Sequence, residues 1–389
     1  MSLKDREHFE SYRAQTLAKH TILEKYIYAY FIILKGTEDR LVYIDGFAGR
    51  GTYTTNDGST VPGSPLRALE KISSNPDLAK KVRTFFIEQD EELFAQLKTS
   101  LDSYYAKSPQ IQEPQLANGA FSAVMTAMMD KYQRDGRAIA PMFVFVDPCG
   151  VDGVDFTVIE RLLRSQRKCE IFLFFNIEGV RRILGLKEHM GETLAHLLGS
   201  SARAAELAQV VASANTSAER EEAIIRYYED LLRNQTPGRF VVSFRVEREE
   251  RRITSHYLVH VAQHPRGFAI MKDVMWSVGK TTEGKGGLLF EQASISTMYM
   301  LFTPEWDSVK ASVLRELSAG KKPMTYFYDV LTHRPENRLC GTAYRNAILE
   351  LEKEGKVFVL GEDGETQTPK RPRRNGVLTL SDRCHVTLR

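Results

Sequence analysis

The stretch "YIDGFAGRGTY", Tyr43–Tyr53, sets three glycines and an acid directly behind a short apolar run. The spacing of those glycines decides which nucleotide folds stay open. A phosphate-binding P-loop needs G-x-x-x-x-G-K-[ST], and no Lys-Ser/Thr pair follows here. A dinucleotide site needs G-x-G-x-x-G, whereas Gly46, Gly49 and Gly51 stand three and two apart, which argues against a NAD-dependent oxidoreductase. Phe47-Ala48-Gly49-Arg50-Gly51 spells F-x-G-x-G instead. In a strand-to-helix turn, two glycines separated by one residue let the backbone pass close to a flat ligand with no Cβ in the way.

Outward from this loop, the pattern alternates strand and helix. "RLVYIDG" reads as a short buried strand, preceded by apolar helical spacing over residues 15–34. "GSPLRALEKI" (63–72) opens a helix, with Ser64 as expected N-cap and Pro65 at the first helical position. "VRTFFIEQD" (82–90) is a second strand ending in an acid, and 109–119 a weaker third. "PMFVFVDPCG" (141–150) is the clearest strand, and 169–179 gives a fifth. Such alternation predicts a mostly parallel, doubly wound sheet, whose chemistry sits at the carboxyl ends of its strands. Those ends carry Asp45 with its glycines, Glu88, Asn118-Gly119 and Asp147-Pro148. Glu88 stands where an acid accepts both hydroxyls of a ribose. Asp45 is placed near the amino-acid end of a zwitterionic ligand. On a bland reading, Lys19-His20 is a solvated helix face.

Residues 180–238 read as a helical insertion. The segments 238–247 and 255–264 look like a strand pair joined by the charged turn "REERRIT", completing the sheet as an antiparallel edge, and 267–279 as a helix. "KTTEGKGG" (280–287) is a linker candidate. The expected division is residues 1–290 for the sheet domain and 300–389 for a second domain. In the latter, three short helices precede two strands around a basic loop, the plan of a winged helix. Its "PKRPRRN" run holds Lys370, Arg371, Arg373 and Arg374, a cluster suited to phosphates, and Arg345 lies early in the third helix. Nucleic acid is the expected partner, with protein docking the alternative.

The bulk numbers fit this plan. The 389 residues carry a net charge of +3, 42% hydrophobic and 26% charged residues, ordinary for a globular chain. Four cysteines without C-x-x-C pairing argue against a zinc site and a disulfide framework, so no metal is expected. No run of 18 apolar residues and no apolar N-terminal region occur, so a cytoplasmic location without membrane attachment is the simplest expectation.

F-x-G-x-G after strand one, an acid after strand two and Asp-Pro after strand four resemble the class I S-adenosylmethionine (SAM) methyltransferases. More closely, "LAKHTIL", "IDGFAGRGTY", "PGSPL", "FIEQD" and "FVDPCG" resemble the three-Cys-motif partner family (TcmP), over nearly the whole chain. More distantly, the Lys-His pair, glycine loop, G-S-P turn and Asp-Pro are similar to ribosomal RNA adenine-N6 methyltransferases. These resemblances imply a Rossmann-like class I methyltransferase sheet with SAM as cofactor. His20, Asp45, Gly46, Phe47, Gly49, Gly51, Ser64, Glu88, Asn118 and Gly119 would line its pocket, and Asp147 with Pro148 would hold the acceptor amine. The family name implies a separate three-cysteine partner protein. Adenine-N6 enzymes read Asp/Asn-Pro-Pro-aromatic, whereas Cys149 and Gly150 stand here, leaving Phe156 or Phe121 as substitute stacking rings. Cys149 reads as a small apolar neighbour of the site. The rival reading is a methyltransferase fold kept as a non-catalytic scaffold, its winged helix recruiting DNA or a partner protein.

Overall fold

The computed structural model describes residues 3–54, 59–151, 153–185, 191–248, 253–278, 290–292, 295–298, 306–368, 371–374 and 377–389. Of these, 3–18, 54, 247–248, 253, 290–298, 373–374 and 377 are described by backbone alone. The linker candidate 280–287 and Lys370 lie outside the described residues. Packing divides the chain into two compact units, Met1–His264 with Glu291–Met298, and Pro265–Phe290 with Tyr299–Arg389.

The first unit is built on seven strands: β1 (Leu41–Asp45), β2 (Val82–Glu88), β3 (Gln115–Asn118), β4 (Met142–Val146), β5 (Glu170–Phe175), β6 (Phe240–Arg248) and β7 (Ile253–Ala262). Their order is 3-2-1-4-5-7-6. The first five run parallel, and β7 lies antiparallel between β5 and β6. A dinucleotide-binding sheet runs 3-2-1-4-5-6. The extra antiparallel strand between the fifth and sixth positions makes this the class I methyltransferase sheet. β4 reads MFVFV and is buried throughout, as a parallel strand covered on both faces requires.

Helices cover both faces: α1 (Leu3–Leu34), α2 (Ser64–Ser73), α3 (Glu91–Lys107), α4 (Phe121–Arg134) and α5 (Phe156–Ser165). α1 presents Ile22, Leu23, Tyr26, Ile27, Tyr30 and Phe31 to the core. Tyr26 and Tyr30 pack against Phe143 of β4, and the Tyr26 hydroxyl donates to buried Glu170 on β5. That bond carries α1 across the sheet toward its fifth strand. The expected insertion is helical: α6 (Ile177–Gly185), α7 (Gly191–Leu198), α8 (Ser201–Ala212) and α9 (Ser217–Gln235). α9 begins with a capping box between Thr216 and Glu219. Its buried Glu221 accepts from Arg181 on α6 and from Thr254 and Tyr257 on β7, which ties the insertion to the sheet.

The second unit contains α10 (Pro265–Val278), α11 (Trp306–Leu317), β8 (Lys322–Pro323), a helical segment at Tyr326–Leu331, α12 (Gly341–Lys353), β9 (Val357–Leu360) and β10 (His385–Leu388). Both β8 and β9 pair antiparallel with β10. Its core gathers Val309, Val313, Phe327, Ala347, Ile348 and Val386 around Trp276 of α10. Buried Lys272 donates to the carbonyls of Thr332 and Asn337, and Asp273 accepts from Thr342 N, so α10 pins the turn leading into α12. Among the described residues no helix is long and apolar enough to cross a membrane.

Arg371 clamps this unit. Its guanidinium grips both oxygens of Glu352 on α12 and also reaches the carbonyls of Thr368 and Thr379. Removing one member of a pair this enclosed strands the other, so Arg371→Ala is expected to cost about 3 kcal/mol. Urea unfolding followed by Trp fluorescence checks this. Exposed Arg345→Ala should stay within about 0.5 kcal/mol of wild type.

Candidate functional site

At the switch point between β1 and β4 the chain order reverses, the place where an open α/β sheet forms its binding crevice. Gly46 enters this crevice with its amide donated to Phe145 O at 2.9 Å. A Cβ there would lie 2.5 Å from the Phe121 ring, so only glycine fits. Gly49 takes a left-handed φ of 61°, which aims its amide at Glu88 Oε2, 2.8 Å away. The other Glu88 oxygen accepts from Asp90 N at 2.8 Å. Two backbone donors thus fix this carboxylate, and a carboxylate has about four acceptor sites. Roughly two remain for hydroxyl donors. Asn118 Nδ2 bonds the carbonyls of Glu88 and Gln89, and Gly119 N bonds Glu88 O, so the end of β3 is laced to the end of β2.

Asp45 is fully buried at the end of β1. Its Oδ1 accepts from Phe47 N at 3.2 Å, and Ser64 also donates to the carboxyl group, while Oδ2 is buried with no hydrogen-bond partner. Burial pushes this carboxyl up to about 7, with the Ser64 and Phe47 hydrogen bonds opposing and Asp147 adding to the rise. The expected Ser64 cap is corrected here: Gly63 is the N-cap and makes no side-chain cap bond. Ser64 is drawn inward by the carboxylate instead.

Asp147 follows β4 and pairs with Lys19 of α1. The Lys19 ammonium lies 5.2 Å from the centroid of the Phe174 ring. Lys19 and His20 are both buried, which corrects the solvated-face reading. Burial, with Lys19 and Arg67 nearby, holds the His20 imidazole well below its ordinary value, so it is neutral. The chain after Asp147 folds tightly. A Cβ on Gly153 would lie 2.7 Å from Pro148 and 3.1 Å from the Phe47 ring, and one on Gly179 would lie 2.4 Å from Val151. Cys149 is the exposed thiol of the four cysteines, pushed up by burial and then by Asp147 and Glu88.

The substitute rings named from sequence do not serve. Phe121 and Phe156 are 2% and 1% exposed, the first wedged against Gly46 and the second the leading residue of α5. Sequence reasoning passed over Phe174 and His256, which belong to an apolar run and an outer strand and carry no motif.

Of the predicted basic residues, Lys370 lies outside the described residues and Arg371 turns inward. Arg345 is exposed on α12. Arg373 and Arg374 form a short strand paired with Val377–Leu378, described by backbone alone. Arg371, expected to meet phosphates, is instead buried in its clamp on Glu352; its donors are spent within the protein. Among the described residues no group of His, Cys, Asp or Glu is placed to hold a metal ion.

No family model and no curated protein matches the sequence. Solved structures give distant likenesses. Protein LPL1258 from Legionella pneumophila aligns at 12% identity with a TM-score of 0.40, covering 67% of this chain and 88% of its own. The METTL16 methyltransferase domain aligns at 11% identity and 0.31, covering 61% and 66%. The methyltransferase domain of bacterial CtHen1-C aligns at 7% and 0.31, covering 62% and 98%. At these values the likeness carries no argument about activity or substrate, and the fold rests on the strand order itself.

Asp45 gives a signature in pH. Its folded value lies above its unfolded one, so its contribution to stability is present below about pH 4 and is lost as pH rises toward 7. Between pH 5 and 7 the ligand-free protein should lose about 2 kcal/mol through this group. Urea unfolding across that range should show the slope, and Asp45→Asn should flatten it.

Proposed function

We propose that this protein is a SAM-dependent methyltransferase acting on an uncharged amine. The observation that carries the reading is the Gly49–Glu88 hydrogen bond at the switch point, which leaves acceptor sites of the carboxylate open beside a backbone without Cβ atoms. Such a site suits a ribose with a flat base. In this reading Gly46, Phe47, Gly49 and Gly51 give close approach, Glu88 takes the ribose hydroxyls, and buried Asp45 stands behind the loop near the amino-acid end. His20, Ser64, Asn118 and Gly119 shape the walls.

When bound, SAM supplies an electrophilic methyl group whose sulfur leaves with the bonding pair. The protein's task is then to hold the acceptor nitrogen in line. Asp147 would accept one N–H of the amine, favouring a pyramidal nitrogen with its lone pair aimed outward, and take up the proton released after transfer. Its pairing with Lys19 makes this edge electrically neutral, which disfavours a protonated alkylammonium and suits a weakly basic amine such as the exocyclic amino group of a base.

Membership of the TcmP family rests on the sequence motifs, and so does a three-cysteine partner. The winged-helix reading of the second unit is supported by its helix and strand order and by the β8-β10-β9 sheet. Nucleic acid is the partner that best suits exposed Arg345 on α12. The scaffold reading is favoured by one observation, the absence of an exposed ring in the Asp-Pro-Cys-Gly segment.

Isothermal titration with S-adenosylhomocysteine should give saturable heat. Losing hydrogen bonds to a charged group costs about 1.5–3 kcal/mol, so Glu88→Ala should weaken binding about 10- to 100-fold. Absence of heat at millimolar ligand sinks the cofactor reading; binding without transfer of labelled methyl to nucleic acid or protein favours the scaffold. Nucleic-acid affinity should fall with salt, and Arg345→Ala should reduce the slope by about one if it meets a phosphate.

A further inference from the structure

We propose that Phe174, backed by His256, is a positioning platform for the Lys19 ammonium that pairs with Asp147. The inference rests on the reading of Asp147 as the acceptor-holding group and adds residues that the sequence motifs do not include.

Four side chains from four elements form a column. Phe174 closes β5 next to its last residue, and the antiparallel neighbour β7 sets Tyr257 beside Phe175 and Leu258 beside Phe174. His256 follows at the same end of the sheet and stacks on Phe174, with ring centroids 3.8 Å apart and planes 27° from parallel. The imidazole is itself braced. Its Nδ1 lies 2.7 Å from Ser255 Oγ, whose hydroxyl is 3.2 Å from the carbonyl of Val246 on β6. With that hydroxyl donated to Val246, Oγ accepts from Nδ1–H, which fixes the tautomer and the ring. Phe174 then offers Lys19 a wall with a negative π face, within the roughly 6 Å over which a cation is attracted to an aromatic ring. Beyond it, the ammonium meets Asp147.

The column answers a physical need. Lysine carries its charge on a flexible four-carbon stem, and ordering that stem costs entropy. A buried ammonium with a counter-charge alone has several ways to reach it; a ring behind the ammonium removes most of them. In this role Phe174 acts through the Lys19 ammonium lying over its ring.

Cys149 provides a native reporter that needs neither methyl donor nor acceptor. Its thiol is raised by burial, then by Asp147 and Glu88, and lowered by Lys19, and the other three cysteines are buried. The thiolate is the reactive form, so alkylation by iodoacetamide at fixed pH reads the local charge. Phe174→Leu is expected to slow alkylation of Cys149 about threefold, in the same direction as Lys19→Met. Phe174→Tyr should restore the wild-type rate, and the Lys19→Met, Phe174→Leu double variant should be no slower than Lys19→Met. A variant that loosens the fold declares itself by alkylation of Cys169, Cys340 or Cys384, and Phe174→Met then replaces it. A wild-type rate in Phe174→Leu alongside a slowed Lys19→Met overturns the platform. So does an unchanged rate in Lys19→Met, since no positioned ammonium then acts on the site. Neither result bears on cofactor binding, which titration with S-adenosylhomocysteine decides separately.

Discussion

The amide of Gly49 donates to the carboxylate of Glu88, and this bond joins the loop after β1 to the end of β2. It requires three conditions at once. β1 and β2 must be parallel neighbours, Gly49 must adopt a left-handed φ, and Gly46 must let the chain pass the Phe121 ring. The parallel sheet supplies the first, because its strands all deliver their next residues to one edge. Glycine supplies the others. Asp45, Asn118 and Asp147 reach the same edge for the same topological reason, and the binding crevice of such a sheet forms where strand order reverses, here at β1.

Around that edge the protein spends its polar groups unequally. Glu88 is held by backbone amides with acceptor capacity left over, whereas Asp45 is sealed from solvent with one oxygen partnerless. An isolated buried carboxylate is costly, and the cost is reflected in the raised proton affinity of Asp45. Asp147 is balanced by Lys19. Three acids at one sheet edge therefore have three different electrostatic characters, set by what each strand end faces.

Much of this was legible in the chain. β1, β2 and β4 end in acids behind apolar runs, and that pattern located Asp45, Glu88 and Asp147 together with the doubly wound sheet. The helical insertion and the antiparallel strand pair were also readable from periodicity. What local pattern could not show was where a side chain goes when a distant partner competes for it. Ser64 has the sequence context of a helix cap, yet its hydroxyl is taken by a carboxylate of β1. Arg371 sits in a basic run, yet Glu352 of α12 draws it inward. Lys19 and His20 look like a polar helix face until the end of β4 is placed against them. Phe174 and His256 meet only because β7 inserts antiparallel beside β5, a pairing between residues 82 positions apart.

The central claim is that the crevice beside Gly49 and Glu88 is built for a nucleoside carrying an amino-acid tail. A crystal structure of the protein soaked with S-adenosylhomocysteine tests it most directly. The predicted result is ligand density over the Gly46–Gly51 backbone, with both ribose hydroxyls on the Glu88 carboxylate and the thioether sulfur turned toward Asp147. Density elsewhere, or an empty crevice at saturating ligand, would contradict it.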